Sequence, residues 1–351
     1  MKHYTFSVSN KPRVVVSRVK GDVTIRPWNE RSISVRIIDE NEGGSIVQPY
    51  KEGDAVFITD CTGSIELYVP YEKNFFGSSN LTTDININDL DGGVVMERVG
   101  NVEVTNIRSD ITLSHVEGNL RATNAPRLSS SKGIGGDAMM EHVSYIEIGA
   151  VGAALSVTRA EMVNVGSVGS AVCAEQIGAV FHCGSVGGSC EIRNSAHAEV
   201  SLSNVGGSLA LDAVARLSSC NVGGSLVALA TVPPDSSTNF VVGGSATLQI
   251  PRDANMRMRI MAGGSISGEA VNQKCGNMAT LTYGSGSASL NLTVGGSVKL
   301  SWATEAAYPG TVIAGKQPPN VAQRREAILK MVEQGRITPE EGSVLLEALV
   351  E

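Results

Sequence analysis

Acidic side chains are the residues of this sequence whose type could support catalysis, because glycoside hydrolysis needs two carboxylates that face each other. Seven glutamates recur through the middle of the chain: Glu103, Glu117, Glu147, Glu161, Glu175, Glu191 and Glu199. They fall at outward positions of a repeat, which indicates solvated faces rather than a paired acid and base. Sugars usually stack on aromatic rings, yet between Val99 and Thr282 the only aromatic residues are Tyr145, Phe181 and Phe240. We therefore predict no catalytic residue, with a carbohydrate-active β-helix enzyme as an alternative.

Histidine and cysteine side chains could bind a metal or act as nucleophiles, but their spacing favours neither role. The four histidines of the repeat region, which should not share one column, are His115, His142, His182 and His197. The six cysteines, which include no CxxC pair, are Cys61, Cys173, Cys183, Cys190, Cys220 and Cys275. Cys190 is predicted to lie inward as a small hydrophobe. Cys173, Cys183 and Cys220 could approach one another on stacked turns, where incidental thiols are favoured over a metal site. No HExxH, GxSxG or phosphate-binding motif is present, and we predict no cofactor.

Composition and charge narrow the classes of function. The formal net charge is −7 and lysines and arginines form no cluster, which argues against nucleic acid as a partner. The N-terminus lacks the apolar core of a signal peptide. No stretch approaches the ~18 apolar residues that cross a bilayer. We therefore predict a cytoplasmic protein with reduced thiols and no transmembrane segment, and leave peripheral association with the envelope open.

An internal repeat runs through most of the chain. Each unit starts at an apolar anchor that is usually followed by glycine, and the anchors are Val99, Val116, Ile134, Val151, Val168, Val186, Val205, Val222, Val242, Ala262 and Val294. The residues four and six positions after most anchors are apolar, and the residue between them is polar or small. This alternation predicts a strand with one buried face. A second strand precedes most anchors.

Units with two short strands and two tight bends predict a mainly β chain that coils into a parallel β-solenoid with about 17–20 residues per turn. Glycines at the corners are expected to supply the positive φ of a sharp bend: Gly188, Gly207, Gly224, Gly244, Gly264 and Gly296. At another corner Ser167, Ser185, Asn204 and Asn221 each precede an anchor. Asn204 and Asn221 are thus candidates for a hydrogen-bonded ladder, unless they are merely common turn residues.

The sequence divides into five segments. Residues 1–70 are predicted to form an irregular β cap or the start of the solenoid, 71–98 an insertion and first turns, 99–302 the regular solenoid, 303–320 a Pro/Gly linker, and 321–351 a helical hairpin. The polar stretch around Thr83–Asp89 lacks the glycine and glutamate of an EF-hand. Its alternation therefore favours another strand over a calcium site.

The C-terminal segment changes from strand to helix periodicity. Gly335 ends a helix that starts near Val321, and Thr338-Pro339-Glu340-Glu341 is a capping box that begins a second helix. Two such short helices bury too little surface to be stable alone. We therefore expect this hairpin to bind a second copy or a protein partner through one apolar face: Ile328, Met331, Val332, Ile337, Val344, Leu345 and Leu349.

Several of these motifs resemble a known family. Residues 19–25, 64–70 and 99–104, with the Gly-Gly-Ser repeats, are similar to the bacterial "putative adhesin" family of β-strand repeats, a domain of unknown function. Residues 325–341 resemble the SHOCT-like helical hairpin that accompanies this domain in envelope-stress proteins. The resemblance implies a non-enzymatic, oligomer-forming role near the bacterial envelope. This chain departs from many such relatives in lacking a transmembrane segment.

Three hypotheses about function follow. The first is a rigid β-solenoid scaffold with a helical oligomerisation or docking hairpin. The second is an exported adhesin or surface-binding module, which needs an export route that the sequence does not reveal. The third is a carbohydrate-active enzyme, which a groove with clustered carboxylates on one face would favour.

Overall fold

The computed structural model describes residues 1–8, 12–19, 21–38, 48–70, 75–79, 84–212, 214–232, 234–272 and 276–303. These residues belong to one compact unit, Met1–Ala307. They form strands, bends and turns without a helix, and 29 strands join in one sheet. The prediction of a mainly β, mostly parallel chain is confirmed for this part.

The strands have the following bounds. They are β1 (Lys2–Ser7), β2 (Arg13–Val19), β3 (Val23–Trp28), β4 (Ser32–Ile38), β5 (Tyr50–Glu52), β6 (Ala55–Cys61), β7 (Ser64–Pro70), β8 (Phe75–Ser79), β9 (Ile85–Asn88), β10 (Val94–Val99), β11 (Val102–Thr105), β12 (Ile111–Val116), β13 (Leu120–Ile134), β14 (Ala138–Val151) and β15 (Leu155–Val168). They continue as β16 (Val172–Val186), β17 (Cys190–Arg193), β18 (Ser195–Val205), β19 (Leu209–Leu211), β20 (Val214–Leu217), β21 (Cys220–Val222), β22 (Leu226–Leu229), β23 (Ser237–Val242), β24 (Ala246–Ile250), β25 (Met256–Ala262), β26 (Ile266–Ser267), β27 (Met278–Tyr283), β28 (Ala288–Val294) and β29 (Val298–Trp302).

Equivalent positions of successive repeats pair in parallel register. The residues four positions after each anchor form one line of partners on neighbouring strands, all buried: Leu120, Ala138, Leu155, Val172, Cys190, Leu209, Leu226 and Ala246. Aliphatic side chains stack there in rows, while the backbone groups of each strand bond to the next. The sequence predicts a strand rather than a calcium site around Ile85 and Ile87. Both residues lie in β9 and are buried, so this segment continues the pattern.

The longest strands are longer than the two short strands predicted for each repeat. Strands β13 to β16 each run 14 or 15 residues. Each contains one non-glycine residue in the left-handed region, with φ of 55° at Asn124, 55° at His142, 60° at Arg159 and 57° at Gln176. A single such residue redirects the chain at a cost of about 1–2 kcal/mol. The pairing of adjacent strands resumes on both sides of it.

Strands at both ends of the sheet do not stack in the order of the sequence. Strand β2 lies between β6 and β8, and β3 lies between β7 and β9. At the other end β28 lies between β23 and β25, and β29 between β24 and β26.

Antiparallel strands accompany this rearrangement. Strand β4 pairs with β7, β1 with β4, and β5 with β6, all antiparallel. Strand β27 pairs antiparallel with β25. An antiparallel partner needs only a short connection, so a returning chain can cover a strand edge that would otherwise invite aggregation.

The corner glycines have a different role from the one predicted. Among the described glycines, positive φ occurs at Gly53, Gly133, Gly268, Gly284 and Gly286. It occurs at none of the six predicted corners, which are Gly188, Gly207, Gly224, Gly244, Gly264 and Gly296. The positive-φ explanation is therefore wrong for those corners.

Close approach of stacked backbones explains the corner glycines instead. A Cβ atom on Gly206 would lie 2.3 Å from the carbonyl oxygen of Gly187, and one on Gly207 would lie 2.8 Å from the carbonyl carbon of Gly188. Backbone atoms cannot move aside as a flexible side chain can. Glycine is thus required where one bend lies directly on the next.

Candidate functional site

A polar groove of about 690 Å³ lies over strands β3, β9, β11, β13 and β14. Its lining includes a column of side chains in the bends before the strands, which are Asp22, Asp84, Asn101, Asn119 and Asp137, and a column of outward side chains on the strands, which are Thr24, Asn86, Glu103, Arg121 and Met139. The strand column follows the parallel register. Four carboxylates therefore face one guanidinium, and the groove is acidic.

The bend column is a ladder of side-chain oxygens that accept backbone N–H groups of the next turn. Asp84 Oδ1 accepts from the backbone N of Asn101 at 3.2 Å and from its Nδ2 at 2.7 Å. Asn101 Oδ1 accepts from Asn119 N at 2.7 Å, and Asn119 Oδ1 from Asp137 N at 2.8 Å. Asp137 Oδ1 then accepts from Ala154 N at 2.9 Å. These side chains thus satisfy backbone donors that the bends leave outside the strand pairing.

Serine continues the same column further along the sheet. Ser189 Oγ accepts from Ser208 N, and Ser208 Oγ from Ser225 N, both at 3.2 Å. This accounts for the serine of the Gly-Gly-Ser repeat, which the sequence analysis left unassigned. At the predicted ladder, Asn221 Nδ2 donates to Asn204 Oδ1 at 3.1 Å. Ser167 and Ser185 lie in the same line of register partners as these two asparagines.

The strand column is held by side-chain contacts across neighbouring strands. Asn86 Nδ2 donates to Glu103 Oε2 at 3.1 Å, and Glu103 Oε1 lies 3.9 Å from Arg121 Nε. Exposed ion pairs of this kind contribute about 0–1 kcal/mol. The carboxylates of Asp84, Glu103 and Asp137 therefore each have a partner within the stack.

A second polar ladder, which the sequence analysis missed, follows the left-handed corner. Its members are Asp89, Asn106, Asn124, His142, Arg159, Gln176 and Asn194, all with positive φ. Asn106 Nδ2 donates to Asp89 Oδ1 at 2.7 Å, and Arg159 Nε donates to Gln176 Oε1 at 2.7 Å. Arg159 Nη1 lies 2.7 Å from His142 Nε2, which must accept because a guanidinium has only donors. From Asn106 onward, the members of this second ladder lie seven or eight residues after an anchor, so the spacing of the repeat could have identified them in the sequence.

The cysteines are mostly buried thiols. Cys183, Cys190 and Cys220 are buried, and Cys173 is exposed. Burial raises the pKa of Cys183 and of Cys220 to about 11, and raises that of Cys190 further. Such thiols are protonated at neutral pH and are poor nucleophiles and metal ligands. Within the described ranges, no three His, Cys, Asp or Glu side chains are grouped to hold a metal. Cys275 lies outside those ranges.

The predicted interaction face of the hairpin lies outside the described residues and stays a prediction. Its members are Ile328, Met331, Val332, Ile337, Val344, Leu345 and Leu349. The part of the chain that the structure describes contains no helix long and apolar enough to span a membrane.

Comparison with known proteins bears mainly on this C-terminal segment. Residues 323–351 match the SHOCT-like domain, which confirms the resemblance of the tail. A solved structure from Clostridium sporogenes, described as a "putative cell adhesion protein", aligns over 86% of this chain and 99% of its own, with 9% sequence identity and a TM-score of 0.18. That likeness is too low to bear on function. No curated protein matches the chain.

Proposed function

We propose that this protein is a non-enzymatic scaffold, in which a parallel β-solenoid carries a helical hairpin that joins copies of the chain or docks on a protein partner. The match of residues 323–351 to the SHOCT-like domain is the observation that carries the proposal. A short helical module next to a long β unit suits assembly better than chemistry, because its predicted apolar face needs a partner. A role near the bacterial envelope rests on the family resemblance.

Three features of the described residues support the solenoid. Equivalent residues of successive repeats are hydrogen-bonded neighbours through most of the sheet. Inward residues come in pairs along the long strands, for example Leu155 with Val157, and Val163 with Val165. One left-handed residue separates those two pairs, and bends close each turn. A parallel coil with a shared aliphatic core fits this arrangement.

Light scattering after size-exclusion chromatography tests the assembly role. The full chain is expected to be oligomeric and a chain without residues 321–351 monomeric, because the hairpin supplies the contact. In the full chain, Met331→Asp with Leu345→Asp should reproduce the monomer, whereas Gln334→Asp, at a polar position, should not. If the full chain is itself a monomer, self-association through the hairpin is wrong.

The groove favours a second candidate, a carbohydrate-active protein. Four of its lining residues are carboxylates on one face, which is the condition that such an enzyme requires. Against it, no aromatic side chain lines the groove and three of the carboxylates already have partners. Polysaccharide hydrolysis that is abolished by Glu103→Gln would favour this candidate. Recovery of the protein outside intact cells would favour the exported adhesin.

A further inference from the structure

An exposed patch of mixed character covers the outer face of four consecutive strands, in the order β23, β28, β25, β27. We call it the arginine–methionine face: Val241, Arg257, Arg259, Met261 and Met278. Val241 and Met261 both pair with Thr293 between them, and Met261 pairs with Met278. The three apolar side chains are 52%, 53% and 65% exposed. A row of three apolar side chains and one threonine therefore crosses four strands in solvent.

The two arginines stand beside this row on β25. Met256, Met258 and Ile260 of β25 are buried, so the alternation places Arg257, Arg259 and Met261 outward. Among the described residues neither arginine forms an ion pair, although the arginines of the groove and of other faces do.

The surroundings of the two arginines are neutral. Their register partners on the same face are Ser289 and Asn291 on β28, and Thr282 and Thr280 on β27. Two carboxylates precede the strands, Asp235 before β23 and Asp253 before β25, and within the described ranges neither forms an ion pair with these arginines. The face is thus locally cationic on a chain of net charge −7.

The shape of the face favours a broad, flat ligand. Strands lie ~4.8 Å apart, so three spacings span ~14 Å, and outward residues on one strand repeat every ~6.8 Å. Arginines without an ion pair can bind lipid phosphates, and exposed methionine and valine can enter the hydrocarbon beneath them. The face therefore suits the surface of a phospholipid membrane. An acidic peptide would complement the arginines but would leave the apolar row in water.

We propose that the arginine–methionine face binds the surface of an anionic phospholipid membrane. Arg257 and Arg259 pair with lipid phosphates, while Met261, Met278 and Val241 enter the boundary between headgroups and acyl chains. This surface belongs to the β unit and does not depend on the hairpin, so membrane binding and self-association are separate properties.

Co-sedimentation of the full chain with vesicles at low ionic strength tests this proposal. Vesicles with equal parts of phosphatidylglycerol and phosphatidylcholine should bind the protein, and vesicles of phosphatidylcholine alone should not. Arg257→Ser with Arg259→Ser should weaken binding about twenty-five-fold, at about five-fold for each arginine near an anionic surface. Met261→Ser with Met278→Ser should also weaken it.

Matched variants on other strands test whether binding depends on this face or only on the overall charge and hydrophobicity of the protein. Arg26 and Lys132 are exposed cations on β3 and β13, and Met139 and Met162 are exposed methionines on β14 and β15. Serine at either pair should leave binding unchanged. Equal losses in these controls, no binding to the anionic vesicles, or binding to polyglutamate but not to vesicles would overturn the proposal.

Discussion

Gly206→Ala is expected to lower the free energy of unfolding of the β unit by about 3 kcal/mol or more. The new Cβ would lie 2.3 Å from the carbonyl oxygen of Gly187, far inside van der Waals contact. The bend cannot simply shift, because Gly206 N donates to Val186 O at 2.8 Å in the same stack. Urea denaturation followed by circular dichroism measures the loss.

Gly276→Ala is the matched control for this substitution. A Cβ on Gly276 would meet nothing within 4 Å, and its φ is not in the left-handed region. Its effect should stay within about 0.5 kcal/mol, as for other surface changes. Equal losses for the two variants would show that close approach of the bends does not select glycine.

Alkylation of the folded protein at pH 8 is expected to modify Cys173 at least a hundredfold faster than Cys183 or Cys220. A thiol pKa of about 11 instead of 9.0 lowers the thiolate fraction at that pH about a hundredfold. Burial of both thiols also blocks the reagent, whereas Cys173 is exposed. Peptide mass spectrometry with time gives the three rates.

Unfolding supplies the control for the alkylation experiment. In concentrated urea the desolvation that raises the two pKa values is lost, so the three rates should converge. Fast modification of Cys183 in the folded state would contradict its inward position on the parallel stack.

The repeat spacing was enough to predict which side chains form the core. Residues such as Leu155, Val157 and Leu226 alternate with polar residues at fixed distances from an anchor, and they are buried as expected. Such alternation depends only on local strand geometry and burial, so the sequence carries it directly. The same alternation predicted β9, in which Ile85 and Ile87 are buried although polar residues lie between and around them.

Residue type does not account for every corner. Arg159 and Gln176 adopt left-handed φ although such residues seldom do, and neighbouring strands resume their pairing beyond them. Their conformation comes from the stack rather than from local preference. The groove was missed for a related reason, since Asp22 and Asp84 come together only because β3 and β9 are neighbours.

The order of the strands at the two ends of the sheet could not be predicted from the sequence, because it depends on which strand edges are paired in the folded chain. Residues 288–302 continue the repeat pattern, and nothing local shows that they lie between two earlier segments. Several stacking orders would bury the same aliphatic residues. In the observed order β27 pairs with β25 on the side away from β28.

Disulfide cross-linking tests the parallel stack most directly, at the end where two orders compete. Thr247 pairs with Lys299, and Lys299 pairs with Ser267, so Thr247 and Ser267 are two strands apart. Cysteines one strand spacing apart, ~4.8 Å, can form a disulfide, whereas ~9.6 Å is too far. In a chain with Cys173→Ser and Cys275→Ser, the pair Thr247→Cys with Lys299→Cys should cross-link on oxidation, and Thr247→Cys with Ser267→Cys should not. Cross-linking of the second pair alone would contradict this stack and favour strands stacked in sequence order.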